Sequence, residues 1–292
     1  MRVRSVRPCD LPEIACEDWV DPDRRAVVQD GVAYVPVREG ERHDLIIPER
    51  KPYRGRGYQL LGDIAVLHGN RPTPQEVNGI RAWINPRGIL WVRGIAGRER
   101  SPRVEIISGD VGEVRHREHG CTFVLDPARV MYAMGNLSER HRVVNQVRVK
   151  GACERVGDLF AGIGYFTIPL ARAGCMVHAM EISPLAYGYL ARNTRENGVV
   201  EGVLAECGNC RDLLRGEYDR LVLGHFDSPE YLSDALSHAR SGSVLHLHTL
   251  RDETSRIRSL ARAAGFAAAI TTRRVKSYAP HTWHIVQDVA LS

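Results

Sequence analysis

The chain has 292 residues, 43% of them hydrophobic and 26% charged, the balance of a soluble globular protein with one large domain or two to three small ones. No window approaches the roughly 18 consecutive apolar residues of a membrane span. The opening MRVRSVRPCDLPEIACEDW has no apolar h-region of a secretory signal, so the expected location is the cytoplasm. Forty Lys and Arg against 35 Asp and Glu leave a net charge of +5, which permits a polyanionic partner without requiring one.

Three regions are expected: an N-terminal segment over 1–60, a small β-rich α+β module over 61–130, and a catalytic-looking part over 131–292. The first 40 residues are mixed and locally acidic (Glu13, Glu17, Asp18, Asp21, Asp23). A basic stretch follows, with Arg50, Lys51, Arg54 and Arg56 around Tyr53 and Tyr58. It reads as a solvated linker or as a segment that tracks a phosphate backbone. From Gly62 to about Asp126, DIAVLHG, GILWVRGI, RVEIISGD, GEVRHREHG and CTFVLD read as short strands between turns. Thr73-Pro74 marks a helix start before QEVNGIRAWI. Arg93, Arg98, Arg100 and Arg103 are further candidates for phosphate contact, and Trp83 and Trp91 read either as core or as platforms for a splayed base.

After Gly151 the pattern becomes strand–helix alternation, with strands at 154–159, 176–182, 202–206, 219–225 and 243–249. Alternation of this length implies a mostly parallel, doubly wound sheet. The last two strands, RRVKSYAP and TWHIVQDVAL, have only a short connection and so form an antiparallel hairpin. The fold class is therefore α/β, with a Rossmann-like domain ending in an antiparallel hairpin.

The loop DLFAGIGYFT carries most of the functional information. Gly162 and Gly164 stand at a strand-to-helix turn, where backbone comes close to a ligand. Thr167 stands where a dinucleotide fingerprint wants a third glycine, and there is no Lys-Ser or Lys-Thr of a P-loop. Asp158 ends the first strand of this part, and Glu181 ends the next one, in HAMEIS, where a carboxylate reaches ribose hydroxyls. The set fits an adenosine ligand without pyrophosphate, of which S-adenosylmethionine is the commonest. Taken singly, the glycines make a tight turn, Asp158 caps a helix and Glu181 is a surface acid. In the third loop, ECGNCRD, Asn209 is placed to meet an adenine edge, while Arg211 and Asp212 could pair with each other.

Seven scattered cysteines give no disulfide framework. Cys207 and Cys210 form the one CxxC, with no second pair or histidines at ligand spacing, so no metal is expected.

DLFAGIGYFTIPLA, MEISPLAYGYLARNTRENGV, NLSERHRV and HREHGCTFVLD resemble the tRNA guanine-37 N1-methyltransferases and their relatives in wybutosine synthesis, over roughly residues 60 to 292. The resemblance implies a class I S-adenosylmethionine-dependent transferase acting on tRNA. Two branches compete. The methyltransferases carry an Asn-Leu-Pro or Asn-Pro-Pro motif after the fourth strand, where this chain reads LVLGHFDSPEY. SVLHLHTL and VKSYAPHTWHIVQDVAL look more like the archaeal-type branch that transfers a 3-amino-3-carboxypropyl group to C7 of 4-demethylwyosine at position 37 of tRNA(Phe), in the anticodon loop. The resemblance implies that Arg140 contacts the methionine portion, Glu181 the ribose, and Gly208 and Asn209 the adenine, with Phe160 and Ile182 beside them. The competing reading of Arg140 is a helix-surface ion pair with Glu139 or another acid. Two departures matter: the family often has Ser at Ala133, and Asp at Gly208, whose contact must then come from backbone. His225, Asp227 and Glu230 follow the fourth strand and are the candidates for proton transfer. A binding protein without chemistry, and a small-molecule methyltransferase, are the rival classes.

Overall fold

Apolar runs and amphipathic helices alternate through the second half of the chain, and this alternation sets the architecture. The computed structural model describes residues 1–14, 17–29, 31–47, 53–97, 99–132, 136–150, 153–279 and 281–292. Cys16, Arg50, Lys51, Arg98 and Ala133 lie outside the described residues. The chain forms two compact units, Met1–Arg54 and Gly55–Ser292.

In the first unit, β1 (Arg2–Val6), α1 (Leu11–Ile14), β2 (Val27–Gln29), β3 (Val32–Pro36) and β4 (Leu45–Ile46) follow in chain order. The strands form an antiparallel sheet in the order β2-β3-β1-β4. Val3, Ala33, Val35 and Val37 are buried in this unit.

The second unit opens with β5 (Gln59–Leu61), β6 (Ile64–Leu67), α2 (Pro74–Ile84), β7 (Gly88–Ala96) and β8 (Ser101–Gly109). They make a four-stranded sheet in chain order. Its one parallel pair, β6 with β7, is the pair bridged by α2, as a parallel connection requires. The helix starts where Thr73-Pro74 predicts: the Thr73 hydroxyl accepts from the Glu76 N–H, and the Glu76 carboxylate accepts from the Thr73 N–H. A hairpin of β9 (Val114–Glu118) and β10 (Cys121–Leu125) leads to α3 (Leu137–Lys150).

Then come β11 (Arg155–Asp158), α4 (Thr167–Arg172), β12 (Met176–Glu181), α5 (Pro184–Glu196), β13 (Val203–Cys207), α6 (Cys210–Leu213), β14 (Tyr218–Leu223), α7 (Leu232–Ser237), β15 (Ala239–Thr249), α8 (Thr254–Ala263), β16 (Ala268–Ala279) and β17 (Thr282–Leu291). The sheet order is β13-β12-β11-β14-β15-β17-β16. The first five strands are parallel, and β17 and β16 are antiparallel, as the sequence predicts. The order reverses between β11 and β14, the place where open α/β sheets bind ligands beyond the strands' carboxyl ends.

Both faces of the central strands are buried, so the run Leu221-Val222-Leu223 is apolar without alternation. Leu221 and Leu223 join a core with Leu232, Leu236 and Ile257 from α7 and α8. Val222 joins the opposite core, with Val143 and Val147 of α3, Leu170 and Leu190. Asn193 of α5 ties three elements together. Its side chain accepts from the Val124 N–H at 2.7 Å and donates to the carbonyls of Val124 and Ile163, each at 3.1 Å. The glycine loop is thereby fixed against β10.

Candidate functional site

A cavity of about 640 Å³ lies at the carboxyl ends of β11, β12, β13 and β14, and residues from β7, β8 and β16 complete its wall. The glycine loop forms one side of it. The Gly162 backbone has φ +58°, a conformation suited to glycine, and its N–H donates to Glu181 Oε2 at 2.7 Å. Glu181 Oε1 accepts from the Ser183 N–H at 2.8 Å. The strand-end acid is thus held by two backbone donors at the cavity wall. Burial raises its affinity for a proton, the two N–H groups oppose this, and the nearby Glu99 adds to the rise. Glu99 comes from the β7–β8 turn and accepts from the Ser183 hydroxyl at 2.9 Å. No local signal marked it, because its role depends on a contact between regions distant in sequence.

The other predicted residues divide. Phe160, Ile182, Gly208, Asn209, Arg140, His225 and Asp227 line the cavity. Ile182 is 36% exposed there, an apolar side chain offered to a ligand's flat face. Phe160 packs edge-to-face on Tyr231 at 5.0 Å. The Gly208 N–H is used by the Glu181 carbonyl at 2.9 Å. Asn209 caps α6, its Oδ1 accepting from the Arg211 N–H at 3.2 Å. Its NH2 has no hydrogen-bond partner among the described residues. Arg211 does not pair with Asp212 but with Asp234, at 2.9 Å, because it lies over the Tyr231 ring beside α7.

Asp158, Gly164 and Glu230 are not on the wall. Asp158 is fully buried and accepts from the Thr167 hydroxyl at 2.7 Å, anchoring the loop to α4. Burial pushes its pKa up to about 7 against the pull of that hydroxyl. A Cβ at Gly164 would meet Ile168 at 2.7 Å, so this glycine serves close packing. Glu230 is exposed.

Arg140 is 3% exposed, so it is no helix-surface residue. Its Nη1 donates to both Glu118 oxygens at 2.8 and 2.9 Å, and its guanidinium lies 4.5 Å from the Tyr165 ring centroid. Glu139 instead pairs with Arg142. The Tyr132 hydroxyl also donates to Glu118, so one carboxylate on β9 holds both groups. His225 accepts the Asp227 N–H at 3.1 Å on Nδ1. Burial and then Arg100 hold His225 below the ordinary imidazole pKa, with Asp227 opposing them.

The hairpin supplies residues that were not singled out from the sequence. Lys276 lines the cavity, is half-buried and has no ion-pair partner among the described residues. Burial, then Arg140 and Arg100, hold it below the usual lysine range. Behind it, His248 Nδ1 lies 3.0 Å from His284 Nε2. Trp91 is half-buried, its indole donating to the Gly69 carbonyl at 3.0 Å, and Trp83 is also half-buried. No group of three or more His, Cys, Asp or Glu among the described residues is arranged to hold a metal ion. Cys207 is exposed and Cys210 buried, its thiol pushed up to about 11 chiefly by burial.

The five parallel strands, the closing hairpin and a strand-end carboxylate beside a glycine turn define a Rossmann-like α/β nucleotide-type fold of the class I transferase kind. The TRM5/TYW2 methyltransferase domain matches residues 114–275, and the chain belongs to this family. A relative from Methanocaldococcus jannaschii, named tRNA(Phe) (4-demethylwyosine(37)-C(7)) aminocarboxypropyltransferase, is 32% identical over 247 residues, 80% of this chain and 97% of the relative. The structure of M. jannaschii TYW2 in complex with AdoMet aligns with TM-score 0.64 at 28% identity, over 81% of this chain and 99% of that one. Trm5b from Pyrococcus abyssi aligns with TM-score 0.69 at 25% identity, over 99% of both chains.

Proposed function

We propose that this protein transfers the 3-amino-3-carboxypropyl group of S-adenosylmethionine to C7 of 4-demethylwyosine at position 37 of tRNA(Phe), in the cytoplasm. The observation that carries the reading is one cavity joining an acid suited to ribose, Glu181, to a buried arginine suited to a carboxylate, Arg140. The Asn-Leu-Pro or Asn-Pro-Pro element of the methyl-transferring branch is absent from LGHFDSPEY.

The wall residues fit the cofactor's parts. Glu181 is oriented by Gly162 and Ser183 and keeps lone pairs for ribose hydroxyls, and Ile182 and Phe160 offer apolar surface to adenine. The NH2 of Asn209 is a donor for an adenine edge. When bound, S-adenosylmethionine supplies a sulfonium with activated carbons, and transfer of the larger arm forms a C–C bond, breaks a C–S bond and leaves methylthioadenosine. The chain decides which carbon meets the base by placing the arm, and in-line placement is worth about 7–11 kcal/mol of the barrier. Arg140, fixed by Glu118 and Tyr165, holds the arm's carboxylate, and Lys276 adds positive charge from the hairpin side. The C7 proton leaves after attack. His225, with its lowered proton affinity, and Asp227 are at the wall to receive it, directly or through water.

The test is mass spectrometry of nucleosides from tRNA(Phe) carrying the 4-demethylwyosine precursor, after incubation with protein and cofactor. An aminocarboxypropyl increment supports the reading. A methyl increment on guanosine of unmodified tRNA establishes the methyltransferase reading instead.

A further inference from the structure

The β16–β17 hairpin presents an aromatic side chain on each of its two faces. On one face, Lys276 pairs across the ladder with His284, and Lys276 and Tyr278 line the cavity. Tyr278 is 52% exposed and packs edge-to-face on Phe226 at 5.1 Å. On the other face, Ser277 pairs with Trp283 and Arg274 with Ile285, and cross-strand partners share a face. The Arg274 guanidinium lies 5.2 Å from the Trp283 ring centroid.

A register shift between Arg274 and Lys276 causes this arrangement. In a regular strand two residues at this spacing share a face, and the bulge turns them apart. A second irregularity lies between Ser277 and Ala279, at Tyr278. Trp283 is 39% exposed, and Arg274 has no ion pair among the described residues. Arg251, at the same carboxyl end of the sheet, is 85% exposed and only 3.7 Å from the half-buried Glu253. An exposed Trp with an unneutralised arginine over its ring is the arrangement that takes a nucleobase by stacking and its phosphate by charge.

We propose that Tyr278, Trp283 and Arg274 of this hairpin form a wedge that separates the substrate nucleotide from its neighbour in the tRNA loop. Tyr278 abuts the substrate base at the cavity mouth, and Trp283 with Arg274 takes the adjacent nucleotide on the opposite face. The base is thereby kept out of the loop's stack, as chemistry on a base atom requires. The inference rests on the tRNA-modifying reading and names how that substrate is held.

The test uses the full chain and precursor tRNA carrying 2-aminopurine, in separate preparations, on each side of the substrate base. W283A, W283F and R274E are compared with wild type for tRNA affinity, fluorescence change on binding, AdoMet affinity and thermal midpoint. The wedge predicts that W283A and R274E each weaken tRNA binding by about fivefold or more. It also predicts that W283A abolishes the fluorescence change at one flanking position, that W283F restores it, and that AdoMet affinity holds. R274E changes an exposed side chain and keeps the test readable where W283A fails to fold. Wild type that binds tRNA while both W283A and R274E bind it equally well overturns the wedge alone. Wild type that binds no tRNA overturns the functional reading, and the wedge with it.

Discussion

The two sides of the cavity are built differently. On the glycine-loop side, β11 and β12 each end in an acid, Asp158 and Glu181, and the polar residues earlier in them turn to partners off the cavity wall: Arg155 donates to the Glu217 carbonyl at 2.8 Å, and His178 lies 2.6 Å from Glu206. On the hairpin side, the polar groups lie inside the sheet. Arg220 on β14 donates to Glu154 at 2.6 and 3.0 Å and to His246 Nε2 at 2.6 Å. Because a guanidinium only donates, His246 accepts on Nε2, and its Nδ1–H donates to Asp288 at 2.6 Å. Asp288 then takes Arg142 of α3 at 2.6 and 2.8 Å. One side sets Glu181 at the cavity wall and buries Asp158 as an anchor, and the other closes its charges on one another, fixing α3, whose first turn carries Arg140. A strand-end charge here either reaches the cavity, as Glu181 does, or anchors its own loop, as Asp158 does, so charges at strand ends and in mid-strand alike need their partners known before they are read.

The largest expected effect lies where the two sides meet. Arg140→Lys keeps the charge and loses the planar fork, and should lower single-turnover rate about a hundredfold while AdoMet affinity changes little. A turnover equal to wild type would break the assignment. Glu181→Gln should weaken AdoMet binding about tenfold or more by calorimetry, since it replaces one backbone-accepting oxygen with a donor. Unchanged affinity would mean that the ribose lies elsewhere.

The two sides should also respond to pH with opposite signs. Asp158 holds its proton up to about pH 7 in the fold, and the unfolded chain releases it near 3.8. The native state then binds more protons between these values, so stability falls as pH rises through that window. At 1.36 kcal/mol per unit the full swing is at most about 4 kcal/mol, and Asp158→Asn should remove it from the pH profile of the thermal midpoint. His284 is held down to about 4, against 6.5, by burial and then Lys276. Here the unfolded state binds more protons, so stability falls as pH drops from 6.5 toward 4, and His284→Gln should flatten that limb. Equal slopes in the two variants would erase the contrast. The smallest effect is expected at Glu230→Ala, under twofold in single-turnover rate, since this exposed side chain is off the wall. A tenfold loss would bring Glu230 back among the proton-transfer candidates.

The same contrast explains what the sequence could tell. Gly162 and Glu181 were legible because a strand–helix–strand unit fixes their separation, and Thr73 with Glu76 because a capping box is local. The hairpin was legible as two strands with a short link. The placement of Lys276 was not, because it depends on a bulge within β16 that no local pattern announces. Glu118 and Glu99 escaped for a related reason: each acts on a residue of another element, Arg140 and Ser183, through a contact that only the folded topology makes. Gly164 and Asp158 were placed in the right loop, and the structure sets both behind its surface, one for packing and one as anchor.

The most direct measurement uses two preparations of S-adenosylmethionine, one labelled in the methyl carbon and one in the carboxyl carbon. Each is incubated with the protein and tRNA(Phe) carrying the 4-demethylwyosine precursor, with unmodified tRNA in parallel. The account predicts carboxyl label in precursor tRNA only, and no methyl label in either tRNA. Methyl label entering unmodified tRNA, with carboxyl label entering neither, would contradict it.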